Sequence, residues 1–167
     1  MKWKAISSKI HDWESLRELR QTWKITGNQV VFTNGCFDIL HYGHIQYLAQ
    51  AAEQGDRLIV AMNSARSISA LKGPNRPIHA DETRFHLMAA LQFVDAVVEF
   101  DQDTPYELIQ FIQPDVLVKG GDWKPDQIVG SDIVLRAGGK VKSLKFVEGY
   151  STTSIEQKII KSAQKHD

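Results

Sequence analysis

Apolar residues along this chain fall into two alternating kinds of segment. Short runs rich in β-branched residues read as five strands: Val30 to Phe32, Leu58 to Met62, Ala96 to Phe100, Val116 to Val118 and Val141 to Phe146. Most are continuously hydrophobic, the pattern of strands covered on both faces. Between them lie stretches at helical spacing. Ile45, Leu48, Ala49 and Ala52, and again Leu87, Ala90, Leu91 and Val94, follow the i, i+3, i+4, i+7 rule. Thr104-Pro105-Tyr106-Glu107 has the form of a capping box with proline at the first helical position, which predicts a helix burying Leu108, Phe111 and Ile112. Thr153-Ser154-Ile155-Glu156 repeats the box ahead of a last helix. This alternation predicts an α/β fold, with a central parallel five-stranded sheet flanked by helices. Trp13, Leu16, Leu19 and Trp23 mark one further helix, so residues 1–28 read as an N-terminal helical extension and residues 29–167 as the domain.

A chain of 167 residues buries one sizeable core comfortably and not two. Twenty Lys and Arg balance twenty Asp and Glu, so no global field draws the protein to nucleic acid or to an anionic membrane, and any anion site must be local. Cys36 is the single cysteine, which excludes an internal disulfide and fits a reducing compartment. No stretch approaches the roughly 18 to 20 apolar residues that span a bilayer, and the first residues lack the apolar core of a leader peptide. The expectation is a cytoplasmic protein with neither a nucleic-acid nor a membrane partner.

In an open parallel sheet, ligands bind beyond the carboxyl ends of the strands. The first strand leaves through Phe32-Thr33-Asn34-Gly35-Cys36-Phe37-Asp38-Ile39-Leu40-His41-Tyr42-Gly43-His44 and runs straight into a helix. Gly35 and Gly43, lacking a Cβ, let the backbone approach a bulky ligand, and the helix start offers free N–H groups and a positive dipole end. That is a phosphate site in outline, although neither G-x-x-x-x-G-K-[ST] nor G-x-G-x-x-G occurs here. His41 and His44, three residues apart, can place their rings side by side over the first turn and contact one phosphate. Two other readings stay open. His-x-x-His is half of a zinc site, with Cys36 and Asp38 as further ligands, though His11, His79, His86 and His166 supply no matching pair. Cys36 with a histidine is also the outline of a nucleophile and its base.

The run T-N-G-C-F-D-I-L-H-Y-G-H resembles the first signature of the cytidylyltransferase-like nucleotidyltransferase superfamily, whose hallmark is His-x-Gly-His. Three more segments resemble it in order: Leu71-Lys72-Gly73-x-x-Arg76-Pro77, Val118-Lys119-Gly120-Gly121-Asp122 and Glu148-Gly149-Tyr150-Ser151-Thr152-Thr153. Within the superfamily the chain is most similar, over roughly residues 28 to 160, to the D-glycero-β-D-manno-heptose 1-phosphate adenylyltransferases that make ADP-heptose. Cytidylyltransferase relatives resemble R-T-E-G-I-S-T-T at the last motif; here Phe146-Val147-Glu148 stands before Gly149, with no arginine.

The resemblance implies a Rossmann-like domain and transfer of AMP from ATP to a sugar 1-phosphate, with a Mg²⁺ ion on the nucleotide phosphates and no named protein ligand to the metal. It implies His41, His44 and Lys72 as catalytic groups. Phe32, Thr33, Asn34, Gly35, Cys36, Phe37 and Gly43, with Lys119, Gly120, Gly121, Asp122, Glu148, Tyr150, Ser151, Thr152 and Thr153, would bind the nucleotide. Asp38, Arg76 and Arg84 would face the acceptor. It further implies a homodimer or larger assembly, and a separate sugar kinase that supplies the acceptor. A related enzyme with another acceptor, glycerol 3-phosphate or FMN, and a non-catalytic nucleotide-binding module are the rival readings.

Overall fold

The structure is a computed structural model that describes residues 1–164; His166 and the domain end read at residue 167 lie outside the described residues. Its elements are α1 (Lys2–Ser7), β1 (Ile10–His11), α2 (Trp13–Ile25), β2 (Val30–Gly35), α3 (Tyr42–Ala52), β3 (Arg57–Asn63), α4 (Ala65–Lys72), α5 (Asp81–Ala89), β4 (Ala96–Phe100), α6 (Tyr106–Ile112), β5 (Val116–Gly120), α7 (Ser131–Arg136), β6 (Lys140–Leu144) and α8 (Thr152–Ala163). The strands form one parallel sheet in the order β1-β4-β3-β2-β5-β6.

The continuous apolar runs form strands because each alternate residue finds its own core. Val30 and Phe32 point into one layer with Ile59, Ala61, Val98 and Leu117, under Leu16 and Trp23 of α2 and Leu108 and Ile112 of α6. Val31 points the other way, into a layer with Leu58, Val60, Met62 and Val118, under Leu48 and Ala51 of α3 and Phe85 and Met88 of α5. Carboxylates pin the amino ends of the strands. Asp115 accepts the Val30 N–H at 2.8 Å and a guanidinium N–H of Arg20 at 2.9 Å, while Asp95 accepts the Leu58 N–H at 2.8 Å and an Arg57 N–H at 3.0 Å.

Five readings of the sequence are corrected. The sheet has six strands, because Ile10 and His11 pair with Val97 and Val98 and make β1, too short to register as an apolar run. The helix placed over 87–94 is α5, ending at Ala89. Leu87 is exposed, and Val94 reaches the core from the turn that follows. Thr104 caps nothing: α6 begins at Tyr106 with Pro105 at its N-cap and no side-chain cap. At α8 the cap is Ser151, which exchanges hydrogen bonds with Ser154, two residues upstream of the box read at Thr153. The edge strand β6 ends at Leu144, leaving Phe146 outside it and exposed.

Candidate active site

The chain moves from β2 outward through β3 to β4, then returns to lay β5 on the other side of β2. The strand order therefore switches between β2 and β5, and the crevice beyond their carboxyl ends is where such a sheet takes ligands. Two clefts open there. They share a wall of Asn34, Gly35, Cys36 and Lys119. The smaller, about 180 Å³, is completed by Phe37, Asp38, His44, Tyr47, Lys72, Gly120, Phe146 and Thr152. The larger, about 350 Å³, runs toward Asn63, Leu71, Phe100, Asp103, Thr104 and Trp123.

The turn after β2 holds an unusual conformation. Phe37 has φ 43°, in the left-handed region that costs a bulky residue free energy, and its ring folds back over Gly35, where a Cβ would lie 2.9 Å away. Arg84 holds this turn from beneath. Its guanidinium is fully buried; Nη1 donates to the Cys36 carbonyl at 2.7 Å and Nη2 to the Asn63 carbonyl at 2.8 Å, and Nη2 also pairs with Asp81. Arg84, expected to face the acceptor, instead ties the ends of β2 and β3 together and lines neither cleft.

Asp38 lines the smaller cleft, whereas Arg76 lines neither, and the two are paired with each other. Asp38 is 2% exposed and accepts the Ile78 N–H at 2.8 Å, the His79 N–H at 3.0 Å and Arg76 Nε at 2.6 Å. Burial pushes its carboxyl up, but the two amides and the guanidinium outweigh burial and hold it below the ordinary carboxylate value. Arg76 also reaches Glu156 of α8 at 3.3 Å, so the pair fastens the segment after α4 to the β2–α3 turn and to α8.

His41 is the N-cap of α3, its Nδ1 accepting the His44 N–H in a long contact of 3.4 Å. That arrangement leaves Nε2 as the proton-bearing nitrogen of His41. The His41 and His44 rings stack with centroids 3.7 Å apart and planes 21° from parallel, and Phe37 meets His44 edge-on. Gly43 permits the stack, since a Cβ there would stand 3.2 Å from the His41 ring and 3.1 Å from Tyr150. Burial, and then the neighbouring His41 and Lys72, push the His44 pKa down to about 4, and burial also lowers His41. Nδ1 of His44 is buried without a hydrogen-bond partner. Buried polar atoms are usually paired, so this nitrogen is open to a partner from water or a ligand.

Two lysines face this pair from other elements. Lys72, the last residue of α4, is exposed and lines the smaller cleft. Lys119, near the end of β5, lines both; burial lowers its pKa, and its ammonium makes one long contact, 3.4 Å, with Asn34 Oδ1. Gly120 follows, and any side chain there would collide with the Phe146 ring.

Other expected residues lie elsewhere. Phe32 and Thr33 are fully buried, Thr33 spending its hydroxyl on Tyr47 at 2.6 Å. Asp122, Glu148, Tyr150 and Thr153 are exposed and line neither cleft; Tyr150 packs on Tyr42. Gly121 turns the chain with φ 116°, and Ser151 caps α8, which leaves Thr152 as the one member of its motif in the smaller cleft. Sequence reasoning missed Asn63, Tyr47, Asp103, Thr104 and Phe146. The carboxyl-end rule, applied to β3 and β4 as it was to β2, points to Asn63 and to Asp103-Thr104. Among the described residues no group of three or more His, Cys, Asp or Glu is placed to hold a metal ion, and no helix is long and apolar enough to cross a membrane.

Fold and crevice define a doubly wound α/β domain with a cationic cleft at its switch point. The family model described as Cytidylyltransferase-like matches residues 32–158, and the chain belongs to that family. Among its relatives, the bifunctional protein HldE of Syntrophotalea carbinolica is 50% identical over 153 residues, covering 92% of this chain and 31% of that protein. HldE of Ectopseudomonas mendocina is 59% identical over 133 residues, 80% of this chain and 28% of that one. The chain thus spans less than a third of the length of these curated relatives. A solved structure, the lipopolysaccharide core biosynthesis protein from Thermoplasma volcanium GSS1, superposes with a TM-score of 0.58 at 26% identity, covering 75% of this chain and all of that one. Pantoate-beta-alanine ligase from Francisella tularensis, at 16% identity and a TM-score of 0.57 over 88% of this chain and 75% of its own, shares the fold.

Proposed function

We propose that this protein transfers AMP from ATP to a sugar 1-phosphate, D-glycero-β-D-manno-heptose 1-phosphate, forming ADP-heptose and releasing pyrophosphate. One observation carries the reading: His44, stacked on His41 at the opening of α3, borders a cleft whose other walls hold Lys72, Lys119 and the first turn of α8. The similarity to HldE proteins supports it.

The acceptor's phosphate oxygen attacks the α-phosphorus in line with the departing pyrophosphate. A phosphate monoester is already an anionic nucleophile near neutral pH, so the protein needs no general base; it needs positioning and stabilisation of charge on the phosphoryl oxygens. His41 through Nε2–H, and His44, bind the α-phosphate. Lys72 and Thr152, with the amides opening α8, hold the β- and γ-phosphates. Asn34, Gly35, Cys36 and Phe37 shape the turn around the nucleotide, and Gly120, bare of side chain, lets the base approach the backbone. Arg84 and Arg76, which line neither cleft, position these groups without touching substrate.

The donor set would fit Mg²⁺ held by nucleotide oxygens and water, since among the described residues no group of three or more His, Cys, Asp or Glu could hold a metal ion and the cleft's carboxylate, Asp38, is paired with Arg76. When bound, the ion neutralises charge on the phosphates. The reading includes a cytoplasmic homodimer supplied with its acceptor by a sugar kinase, and no nucleic-acid or membrane partner.

A panel of ATP and CTP against heptose 1-phosphate, glycerol 3-phosphate and FMN, with pyrophosphate release as readout, tests it. ATP with heptose 1-phosphate is expected to be fastest. Preference for CTP with glycerol 3-phosphate, or for ATP with FMN, would contradict the acceptor assignment, and no release with any pair would contradict catalysis.

A further inference from the structure

The larger cleft has no role in holding the triphosphate, yet it shares its inner wall with the cleft that does. In-line transfer puts the nucleophile and the leaving group on opposite sides of the α-phosphorus. With pyrophosphate leaving toward Lys72 and Thr152, the acceptor phosphate must arrive past the other side of the shared wall, where Lys119 stands. The body of the acceptor then lies in the larger cleft.

Two groups at the far end of that cleft are unspent. Asp101 is consumed structurally, accepting from Ser64 and from Arg66 Nε at 2.9 Å. Asp103, two residues on, is exposed, lines the cleft, and has no ion pair or hydrogen bond among the described residues. Thr104 stands beside it, and its hydroxyl, in a position where a helix cap is expected, caps nothing. By contrast, Asn63 and Trp123 spend their donors on Ser67 and on the Gly120 carbonyl. Beyond Asp103 and Thr104 the surface continues into a second hollow, with Arg66 and Glu107 on its walls. The near wall, with Leu71 and Phe100, is apolar. An apolar face beside an unpaired carboxylate and hydroxyl suits a sugar ring, which presents C–H groups on one side and O–H donors at its edge, with room for a hydroxylated arm beyond.

We propose that Asp103 and Thr104 select the acceptor by binding its sugar hydroxyls, Asp103 accepting two and Thr104 one, while Lys119 holds its phosphate. This rests on the transfer reaction proposed above, and the test separates the two.

Steady-state kinetics with varied ATP and varied heptose 1-phosphate are measured for the unaltered protein, Asp103→Ala, Asp103→Asn and Thr104→Val. Losing hydrogen bonds to a charged group is expected to raise the acceptor KM roughly 10- to 100-fold in Asp103→Ala, with a smaller rise in Asp103→Asn, which keeps one acceptor oxygen, and in Thr104→Val. The ATP KM and the unfolding temperature are expected to stay unchanged, because neither side chain supports the fold. An active parent enzyme with an unmoved acceptor KM in Asp103→Ala overturns this assignment and leaves the reaction standing. A rise confined to the ATP KM also overturns it and makes the larger cleft the nucleoside site. A parent enzyme that turns over no sugar 1-phosphate overturns both.

Discussion

His41 and His44 stand face to face, ring centroids 3.7 Å apart, with His41 capping the helix that His44 enters. Two imidazoles this close cannot both be charged without mutual repulsion, and among the described residues no carboxylate pairs with either. The stack is a poor arrangement for stability and a good one for surrounding a phosphoryl group. Replacing His44 by Ala is therefore expected to lower kcat roughly 10²- to 10³-fold, the effect of removing one donor from a developing anion, while the far-ultraviolet circular dichroism stays unchanged. Pyrophosphate release measures it; full activity in His44→Ala would remove the histidine from the mechanism.

The depressed His44 pKa has a definite sign. Unfolded, the ring titrates near 6.5; folded, near 4. Between these values the unfolded chain binds the extra proton, so stability is greatest above pH 6.5 and falls as the pH drops toward 4. Urea unfolding across this range is expected to show a shallower pH slope in His44→Gln than in the parent. Phosphate bound beside the ring favours its charged form, so near pH 5.5 ATP binding is expected to take up more protons in the parent than in His44→Gln, the terminal phosphate contributing equally to both. Calorimetry in buffers of different ionisation enthalpy measures the difference, and an identical proton balance in the two proteins would contradict the contact.

Lys72 and Lys119 are expected to differ in kind. Lys72 is exposed at a helix end, so Lys72→Ala is expected to cost turnover heavily and the fold nothing. Lys119 is half-buried on the wall between the two clefts. Lys119→Met is expected to keep the stem's packing and raise the KM of the acceptor as well as lower kcat. Identical profiles for the two variants would argue against separate stations for them.

Arg84 is a test of fold rather than chemistry. Arg84→Met leaves the Cys36 and Asn63 carbonyls and Asp81 without their shared donor. The expected loss is about 3 kcal/mol or more, a fall of roughly 10 °C in unfolding temperature for a domain of this size. A variant of undiminished stability would mean that the β2 turn holds itself.

The sheet was legible in the sequence because strands buried on both faces leave unbroken apolar runs, and the turn after β2 was legible because Gly35, His41, Gly43 and His44 sit within ten residues. What escaped depended on distance along the chain. Arg84 looks like any helix-surface arginine until it is found beneath Cys36, 48 residues away. Asp38 and Arg76, 38 residues apart, read as substrate groups until each is seen to occupy the other. β1 has only two residues and owes its existence to the free edge of β4. Thr104 matched a cap because sequence pattern records which residues could cap, not where the helix begins. The larger cleft could not be read at all, since its walls come from the ends of β2, β3, β4 and β5 and from the loop after β5.

The claim on which everything else depends is that phosphorus transfer takes place beside the stacked imidazoles. Incubation of ATP with heptose 1-phosphate carrying ¹⁸O in its phosphate, followed by mass spectrometry of both products, tests it most directly, with His44→Ala alongside. The expected result is ADP-heptose that retains all the acceptor's label, unlabelled pyrophosphate, and almost no product from the variant. Label in the pyrophosphate, or equal product from His44→Ala, would contradict it.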